Sequence, residues 1–510
     1  MSEEKKKRKR NCDTPSYSLK LRLLTSEEDE KVLDKRFRIA THIQNVMAKE
    51  ARRRLNNLFR DRDYKELIFN IRKSGKWTKD EKKALQAFYT KYGLSEYSFH
   101  EYVDAEQKQF SKNIDSSTRQ KEATKVWKSV QKFLFSNGKA VHAKSHWCKF
   151  SIEGKSNAAG IRYRDGLVEW KGLNIPVRIR KRDHYAKVCL KSGKIKYCRI
   201  KRSWHNHRWR YYVELVMEGF PPMKERKIGE GRVGIDIGTS TIAAVSEANM
   251  VFKELNDGIE SIDAEIRRLN RKLDRQRRAN NPGNYNANGT IKRDSKTFHK
   301  VWRKSKQQRL TEDKIRERYA KRSAKLSQFQ DGLANEIVSM GDEIVIETMN
   351  FQGLQKRAKK TEKSDKTGRY KKKKRFGKSI SIHAPSSLIK KIKTRLAYHK
   401  GSFIEVDTYK MKASQANHIT GEYMSSDLKN RWKELIPDLF VQRDLYSAFL
   451  LYNAKNKEEI DFELCEQTFD NFFNGHNRLI DKLHKQKKKG NLSLPAWVSS
   501  QNYIGCRRHP

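Results

Sequence analysis

The stretch Val233-Gly-Ile-Asp-Ile-Gly-Thr239 decides how the second half of the chain is interpreted. Its apolar side chains alternate with glycine or an acid, which is the period-2 pattern of a β-strand. The apolar residues therefore share one face of the predicted strand, and Asp236 lies on the other face between two glycines. A carboxylate in an apolar strand is costly unless a cation compensates its charge. The pattern makes Asp236 a candidate catalytic residue and metal ligand.

Two further acids stand at comparable places. Glu347 ends the apolar run Glu343-Ile-Val-Ile-Glu347, which predicts a buried strand, and Asp444 lies in the first turn of a predicted helix. Asp444 shares the packed face of that helix with Ser447 and Ala448, which are small enough to let it lie close to a sheet. Carboxylates brought together from separate elements repel one another unless a cation holds them. We therefore expect Mg²⁺ or Mn²⁺, as two ions roughly 3.5–4 Å apart.

The order of these three motifs resembles the split RuvC nuclease domain of the transposon-encoded TnpB proteins and of compact type V CRISPR effectors. Asp236, Glu347 and Asp444 fall on the three motif acids of that family, and the resemblance covers most of residues 17 to 455. It implies an α/β protein in which an RNase H-like RuvC domain follows a β-barrel-like wedge domain with a helical recognition insertion. It also implies a guide RNA, a target DNA duplex and one metal-dependent site that cuts DNA paired to the guide.

Composition agrees with a nucleic-acid partner. The 510 residues include 113 Lys and Arg against 61 Asp and Glu, for a net charge of +52, and a polyanion is the usual partner of such an excess. Hydrophobic residues make up 36% of the chain, which is enough for real cores. The basic run Lys5 to Arg10 precedes no apolar segment, so we expect no secretory signal. A cytoplasmic, prokaryotic protein, associated with the nucleoid when bound to DNA, is the expectation.

The resemblance and the changes of period together predict seven segments. The boundaries are a basic tail at 1–16, a wedge β domain at 17–27 and 139–229, a helical recognition domain at 28–138, the first part of RuvC at 230–408, a target-nucleic-acid-binding insertion at 409–443, the last RuvC helix at 444–455, and a C-terminal appendage at 456–510.

Candidate nucleic-acid contacts are basic residues on predicted surfaces, together with one aromatic residue. They lie on the first long helix, on the β domain and in the tract Lys356–Lys378, which has a net charge of +11 and is predicted to act as a lid or strand guide. The residues are Arg52, Arg53, Arg54, Lys201, Arg202, Trp204, Lys371, Lys372, Lys373, Lys374 and Arg375.

The insertion departs from the family pattern. Relatives usually carry a zinc ribbon with paired CxxC knuckles here, whereas residues 409 to 443 contain no cysteine, so no zinc is predicted. Ser414, Gln415, Asn417 and His418 stand near the position of the first knuckle. Whether they contact nucleic acid or pack as a loop is left open by the sequence.

Other functions share parts of this pattern. The segment around Asp236 alone also resembles the phosphate-binding start of sugar kinases and actin-like ATPases, but those proteins have no reason for such a charge. Acids that merely end strands, a nuclease-inactive RNA-guided repressor and an RNase H-fold transposase stay open as well. A repressor would lose one or more acids, and a transposase would not explain the RNA-handling modules. The combination favours an RNA-guided DNA endonuclease.

Overall fold

The computed structural model describes residues 15–75, 78–136, 138–205, 208–222, 228–255, 259–292, 301–356, 376–424 and 430–489. The chain divides into two compact units, Met1–Met223 and Lys224–Pro510. The mixed α/β class expected from the sequence is confirmed. Within the described residues, no helix is long and apolar enough to span a membrane.

The first unit places a group of helices between its first strand and the remaining strands. Its elements are β1 (Ser16–Leu23), α1 (Glu27–Arg60), α2 (Arg62–Ser74), α3 (Lys79–Lys91), α4 (Glu96–Glu106), α5 (Ser116–Phe135), β2 (Ser151–Glu153), β3 (Arg162–Arg164), β4 (Leu167–Trp170), β5 (Leu173–Arg178), α6 (His184–Ser192), β6 (Ile195–His205) and β7 (Arg208–Glu218).

The described strands of the first unit form one antiparallel sheet in the order β2-β6-β7-β1-β5-β4-β3. Along β1, buried and exposed side chains alternate, as the period-2 pattern predicts. Although β1 precedes the helices, it pairs with β7, where Ser16 lies opposite Glu218, and with β5. The sheet curls, so that β3 comes close to β6. The strand before the helices and those after them thus share one core.

Helix α1 follows the expected amphipathic pattern. Ser26 caps its first turn in a reciprocal capping box with Asp29, and acidic residues fill that turn, where the helix dipole favours negative charge. Its buried stripe, which includes Leu33, Phe37 and Ile43, packs into the core of the unit. The sequence pattern identified α1 and α5 but did not resolve α2, α3 and α4 as separate helices.

The second unit alternates strands and helices. Its elements are β8 (Arg232–Ile237), β9 (Thr241–Val245), β10 (Met250–Glu254), α7 (Glu260–Asn280), α8 (Lys306–Val338), β11 (Glu343–Glu347), α9 (Phe351–Gln355), α10 (Gly377–His383), α11 (Pro385–Tyr398), β12 (Ser402–Val406), α12 (Thr408–Met411), β13 (Trp432–Ile436), β14 (Leu439–Gln442), α13 (Arg443–Tyr452) and α14 (Phe462–Lys488).

Its main sheet has the order β10-β9-β8-β11-β12. Strands β8, β9 and β10 are antiparallel neighbours, whereas β11 runs parallel to β8 and to β12. Apolar residues of α8 and α11 cover one face, and those of α13 and α14 cover the other. Strands β13 and β14 form a separate two-stranded hairpin directly before α13.

Helix α14 corrects the interpretation of residues 456–510 as a mere appendage. Its apolar residues recur at helical spacing, and Phe469, Phe472 and Phe473 are buried in the same core as α13. The rings of Phe472 and Phe449 stack with their centroids 4.4 Å apart. Part of the C-terminal segment is therefore structural, and it supports the helix that carries Asp444.

Candidate active site and nucleic-acid interface

Two of the predicted acids lie side by side on one face of the sheet of the second unit. Ile235 of β8 is in register with Ile346 of β11, and both side chains point into the core beneath α8 and α11. Because side chains alternate along a strand, the next residues, Asp236 and Glu347, point to the face that α13 covers. The parallel register thus brings two carboxylates to the same level of neighbouring strands.

On the same face of the sheet, the start of β8 and β11 carries a pair of opposite charges. At the start of the two strands, Arg232 lies opposite Glu343, and the guanidinium Nε is 2.6 Å from the carboxylate. At the other end, Asp236 and Glu347 place like charges where an ion pair would be favourable. Like charges on neighbouring strands destabilise a sheet. This arrangement is a cost to the fold and therefore points to a function.

Helix α13 brings the third acid to this face. It lies so close to β8 that a Cβ atom added at Gly234 would be 2.1 Å from the carbonyl oxygen of Ala448 and 2.3 Å from the backbone nitrogen of Tyr452. Only glycine permits that approach. Asp444, in the first turn of the helix, is buried beside the sheet.

The start of α13 is held by buried hydrogen bonds. The side-chain oxygen of Gln442 accepts from the backbone N–H of Leu445 at 2.6 Å, which caps the helix. The backbone N–H of Gln442 donates to Nε2 of His476 on α14 at 2.9 Å. Burial lowers the pKa of His476 to about 4, so the ring is neutral and Nε2 can accept. These contacts fix the turn from which Asp444 projects.

The charges of the other two acids act on Asp236. Burial raises the pKa of Asp236 well above its usual range, and the charges of Asp444 and Glu347 raise it further. Burial also raises the pKa of Glu347 to about 7, although a hydrogen bond from the backbone of Ala413 acts in the opposite direction. The site therefore concentrates more negative charge than the fold alone would favour.

Two arginines that are not among the residues predicted from the sequence lie against this charge. Nη1 of Arg431 and Nε of Arg443 are each 3.6 Å from a carboxylate oxygen of Asp444. Both guanidinium groups also lower the pKa of Asp236. Arg443 is largely buried, whereas 39% of the Arg431 side chain is exposed. The only available signal in the sequence was their position on either side of the hairpin before Asp444.

The donor set fits a hard divalent cation in its chemistry but does not form a closed cage. In the ranges that the structure describes, no group of three or more His, Cys, Asp or Glu side chains is arranged to hold a metal ion. Carboxylate oxygens are nevertheless the ligands that Mg²⁺ and Mn²⁺ prefer, and the raised pKa values of Asp236 and Glu347 reflect charge that a cation would compensate. Binding would require these side chains to turn toward the ion.

The cysteine-free insertion is tied together by buried polar contacts. Nζ of Lys433 donates to the carbonyl oxygens of Gln415 and Ala416 at 3.0 and 2.6 Å. Nδ2 of Asn417 donates to the carbonyl oxygen of Leu435 at 2.7 Å. These bonds attach the loop before the β13–β14 hairpin to the hairpin itself.

The insertion is also attached to α13. The hydroxyl of Tyr446 accepts from the backbone N–H of His418 at 3.1 Å and lies 2.7 Å from Nδ1 of its ring. Burial lowers the pKa of His418 to about 4, so the ring is neutral. Asn417 and His418 thus serve packing, whereas Ser414 is exposed and Gln415 is partly exposed.

The basic candidates of the first helix differ in their surroundings. Nη1 of Arg54 donates to the carbonyl oxygen of Gly93 at 2.6 Å, and Nε donates to the carboxylate of Glu50 at 2.8 Å. Arg53 also pairs with Glu50 but is exposed, and Arg52 is exposed as well. Arg54 is therefore used within the protein, and Arg52 and Arg53 are the ones presented to solvent.

The candidates of the β domain show the same division. The side chain of Arg202 is 0% exposed, bonds to Asp34 at 2.9 Å and stacks over Trp209. Lys201 is partly exposed and pairs with Glu214 at 2.8 Å. Trp204 packs edge-on against Trp209, with centroids 5.0 Å apart. Arg202 therefore supports the fold.

The remaining basic candidates, Lys371, Lys372, Lys373, Lys374 and Arg375, lie outside the described residues. Their assignment, like that of the lid around them, stays a prediction.

Comparison with known proteins gives distant structural matches. No protein-family model and no curated protein matches the chain. The cryo-EM structure of a Cas12f1–sgRNA–target DNA complex matches with 11% sequence identity and a TM-score of 0.43, covering 87% of this chain and 99% of that chain. The cryo-EM structure of a CRISPR–Cas12f ternary complex matches with 11% identity and a TM-score of 0.27, covering 87% and 100%. At TM-scores this low, neither match establishes a shared fold.

Proposed function

We propose that the chain is an RNA-guided DNA endonuclease that hydrolyses phosphodiester bonds at one site, formed by Asp236, Glu347 and Asp444. The observation that carries this proposal is the placement of like charges at one level of β8 and β11, with a third acid at the start of α13. A structural role does not account for a charge cluster that the sheet disfavours. A catalytic role accounts for it, because the carboxylates would bind a metal ion.

The proposed fold of the second unit is an RNase H-like RuvC domain. Its mixed five-stranded sheet, with helices on both faces and two acids at the C-terminal ends of neighbouring parallel strands, supports this assignment. The resemblance of the three motifs to split RuvC sequences supports it independently. The wedge and recognition roles of the first unit belong to the same proposal.

In this proposal each group has a defined task. A divalent cation, once bound, supplies an activated water and stabilises the leaving oxygen. Asp236 and Glu347 present the carboxylates from a rigid sheet, and Asp444 completes the set from the helix. Arg431, which is partly exposed beside Asp444, is placed to attract the phosphate of a strand that enters the site. Pairing with the guide would select the target sequence, while the protein would hold the heteroduplex by shape and charge.

Guide RNA and target DNA are the proposed partners. A net charge of +52 supports two polyanionic ligands better than one. Exposed residues such as Arg52 and Arg53 are the proposed backbone contacts, and the basic tract after Lys356 is the proposed lid.

The decisive experiment combines RNA identification with cleavage. The chain is purified, its bound RNA is sequenced, and DNA that matches the RNA is incubated with it and Mg²⁺. Asp236→Asn should lower cleavage by at least about a hundredfold while RNA still co-purifies. Asp438→Asn is the matched control, because Asp438 is exposed in the β13–β14 turn and its positive φ suits asparagine. Undiminished cleavage by Asp236→Asn would refute the catalytic assignment, and the absence of a discrete RNA would refute guidance.

One observation favours a second candidate function, an RNA-guided DNA-binding repressor without nuclease activity. Arg431 and Arg443 already lie against Asp444, so the charge of this acid is compensated within the protein. The same assay separates the two functions. A repressor would bind matching DNA and leave it intact with either Mg²⁺ or Mn²⁺.

A further inference from the structure

A cavity lies at one end of the hairpin formed by α7 and α8. Its volume is about 510 Å³, within the range of small-molecule sites. The wall combines cations, aromatic rings and one acid. The cations and aromatic residues of the lining are Arg277, Arg278, Tyr285, Trp302, Arg303 and Lys304.

The wall of this cavity is held in place by hydrogen bonds between the end of α7 and the segment before α8. Asn281 is buried, and its Nδ2 donates to the carbonyl oxygens of Arg277 and Arg303 at 3.0 and 2.9 Å. Its Oδ1 accepts from the backbone N–H of Arg303 at 2.6 Å. An isolated β-bridge between Tyr285 and Ile291 closes the loop that follows α7. One asparagine therefore joins the end of α7 to the segment before α8.

The aromatic residues form a corner. The rings of Tyr285 and Trp302 are 5.9 Å apart at 82°, and the guanidinium of Arg278 lies 6.0 Å from the Tyr285 centroid. Trp302 is 40% exposed, so much of its surface is not covered by protein. Exposed aromatic faces bind unpaired bases by stacking, with little dependence on sequence.

The charge of the lining favours an anion. Three arginines and Lys304 face one acid, Asp274. Lys304 is paired with Glu312 at 2.9 Å, which leaves the arginines as the main source of positive potential. A ligand that satisfies both halves of the wall has a flat ring and a phosphate within a few ångströms of each other. Nucleotides have this chemistry.

We propose that the cavity binds one unpaired nucleotide of a nucleic-acid strand, with its base stacked on Trp302 and its phosphate on the arginines. The strand comes from RNA or from DNA, which present the same base and phosphate. The proposal rests on the proposed function only in requiring that the chain binds nucleic acid. The site lies outside the carboxylate cluster and has no part in phosphodiester hydrolysis.

The test uses the full chain and fluorescein-labelled strands of about ten nucleotides. Anisotropy measures the affinity for oligo-dT, oligo-U and a duplex in the wild type, Trp302→Ala, Trp302→Phe and Val301→Ala. Val301 is the matched control, because it precedes Trp302, is 76% exposed and does not line the cavity. Trp302→Ala should weaken single-strand binding about five- to hundredfold, Trp302→Phe much less, and Val301→Ala hardly at all. The better of oligo-dT and oligo-U identifies the source of the nucleotide.

A second measurement does not depend on a variant. A strand that carries 5-iodouracil is irradiated with the wild type, and the adduct is located by mass spectrometry. Cross-linking to Trp302 or Tyr285 supports the proposal. Equal affinities of Trp302→Ala and Val301→Ala, together with no adduct at this corner, would overturn the proposal. Polyglutamate that competes as well as an unlabelled strand does would also overturn it, since charge alone would then explain binding. The Asp236→Asn cleavage assay tests only the proposed nuclease activity, whereas the binding and cross-linking results test only the proposed nucleotide site in the cavity.

Discussion

Glu347 holds a negative charge where the fold disfavours one. Burial raises its pKa from 4.5 to about 7. Well below pH 4.5 the carboxyl is protonated in both the folded and the unfolded chain, so it costs nothing there. As the pH rises toward 7, the unfolded chain loses this proton first, and the free energy of unfolding decreases by up to about 3 kcal/mol. The penalty is complete above the folded pKa.

Glu347→Gln should therefore stabilise the protein while abolishing cleavage. At about pH 8 in a buffer with a chelator, we expect the variant to unfold at a higher temperature than the wild type. Its free energy of unfolding should be larger by up to about 3 kcal/mol. At about pH 5 the difference should shrink, because the folded wild type then keeps the proton on Glu347 and the unfolded chain gains little by losing it so close to the ordinary pKa of 4.5. Thermal denaturation at the two pH values measures this, and added Mg²⁺ should stabilise the wild type more than the variant.

Glu343→Gln is the matched control on the same strand. Its carboxylate pairs with Arg232 at 2.6 Å, so the amide should bring no gain and a loss of about 0–1 kcal/mol. A stabilising effect of equal size in both variants would show that the strand simply disfavours acids. The special cost assigned to the pair of Asp236 and Glu347 would then be wrong.

The contact between β8 and α13 is the element on which the geometry of the site depends. Gly234→Ala would put a methyl group 2.1 Å from the carbonyl oxygen of Ala448, so helix and strand would have to separate. We expect a loss of more than about 2 kcal/mol in the free energy of unfolding, together with loss of cleavage, because Asp444 moves with the helix. Chemical denaturation and the cleavage assay measure the two effects.

Gly332→Ala gives the opposite expectation for the same chemical change. Gly332 lies inside α8, and a methyl group there meets nothing within 4 Å. Alanine should stabilise the helix by about 1 kcal/mol and leave cleavage intact. If both substitutions have similar effects, the close approach at Gly234 does not control the position of Asp444.

The sequence predicted these elements well because their function and packing depend on residue patterns within each element. An acid inside an apolar alternation marked β8 and β11, and Ser447 and Ala448 marked the close face of α13. The contacts of Lys433 left no such mark, since its acceptors are backbone carbonyl oxygens. The sequence predicts α14 only as part of an appendage: its spacing of phenylalanines is typical of a helix, but its partner in the core is a helix that only the tertiary structure identifies.

The net charge of +52 overstates what is available to a ligand, because some cations are used within the fold. Arg52→Gln should reduce the slope of log K against log salt for RNA binding by about 1 if Arg52 meets one phosphate, with stability nearly unchanged. Arg202→Gln removes a buried guanidinium that bonds to Asp34, so it should cost about 3 kcal/mol or more of stability.

Filter binding at several salt concentrations and thermal denaturation separate these effects. The slope measured for Arg202→Gln, at a temperature where it stays folded, should match that of the wild type. A reduced slope with unchanged stability in this variant would place Arg202 in the interface. An unchanged slope in Arg52→Gln would remove Arg52 from it.

The pairing of β1 with β7 also has a consequence for biosynthesis. Strand β1 lies between β7 and β5 in its sheet, yet both partners are made after the five helices α1 to α5. The helices have mostly local contacts and can form early, whereas closing the long loop between Ser16 and Glu218 costs chain entropy first. While the ribosome completes the unit, the backbone edges of β1 have no strand to pair with, and its apolar side chains lack the core that buries them in the finished unit. We therefore expect the nascent chain to be prone to aggregation until β7 emerges.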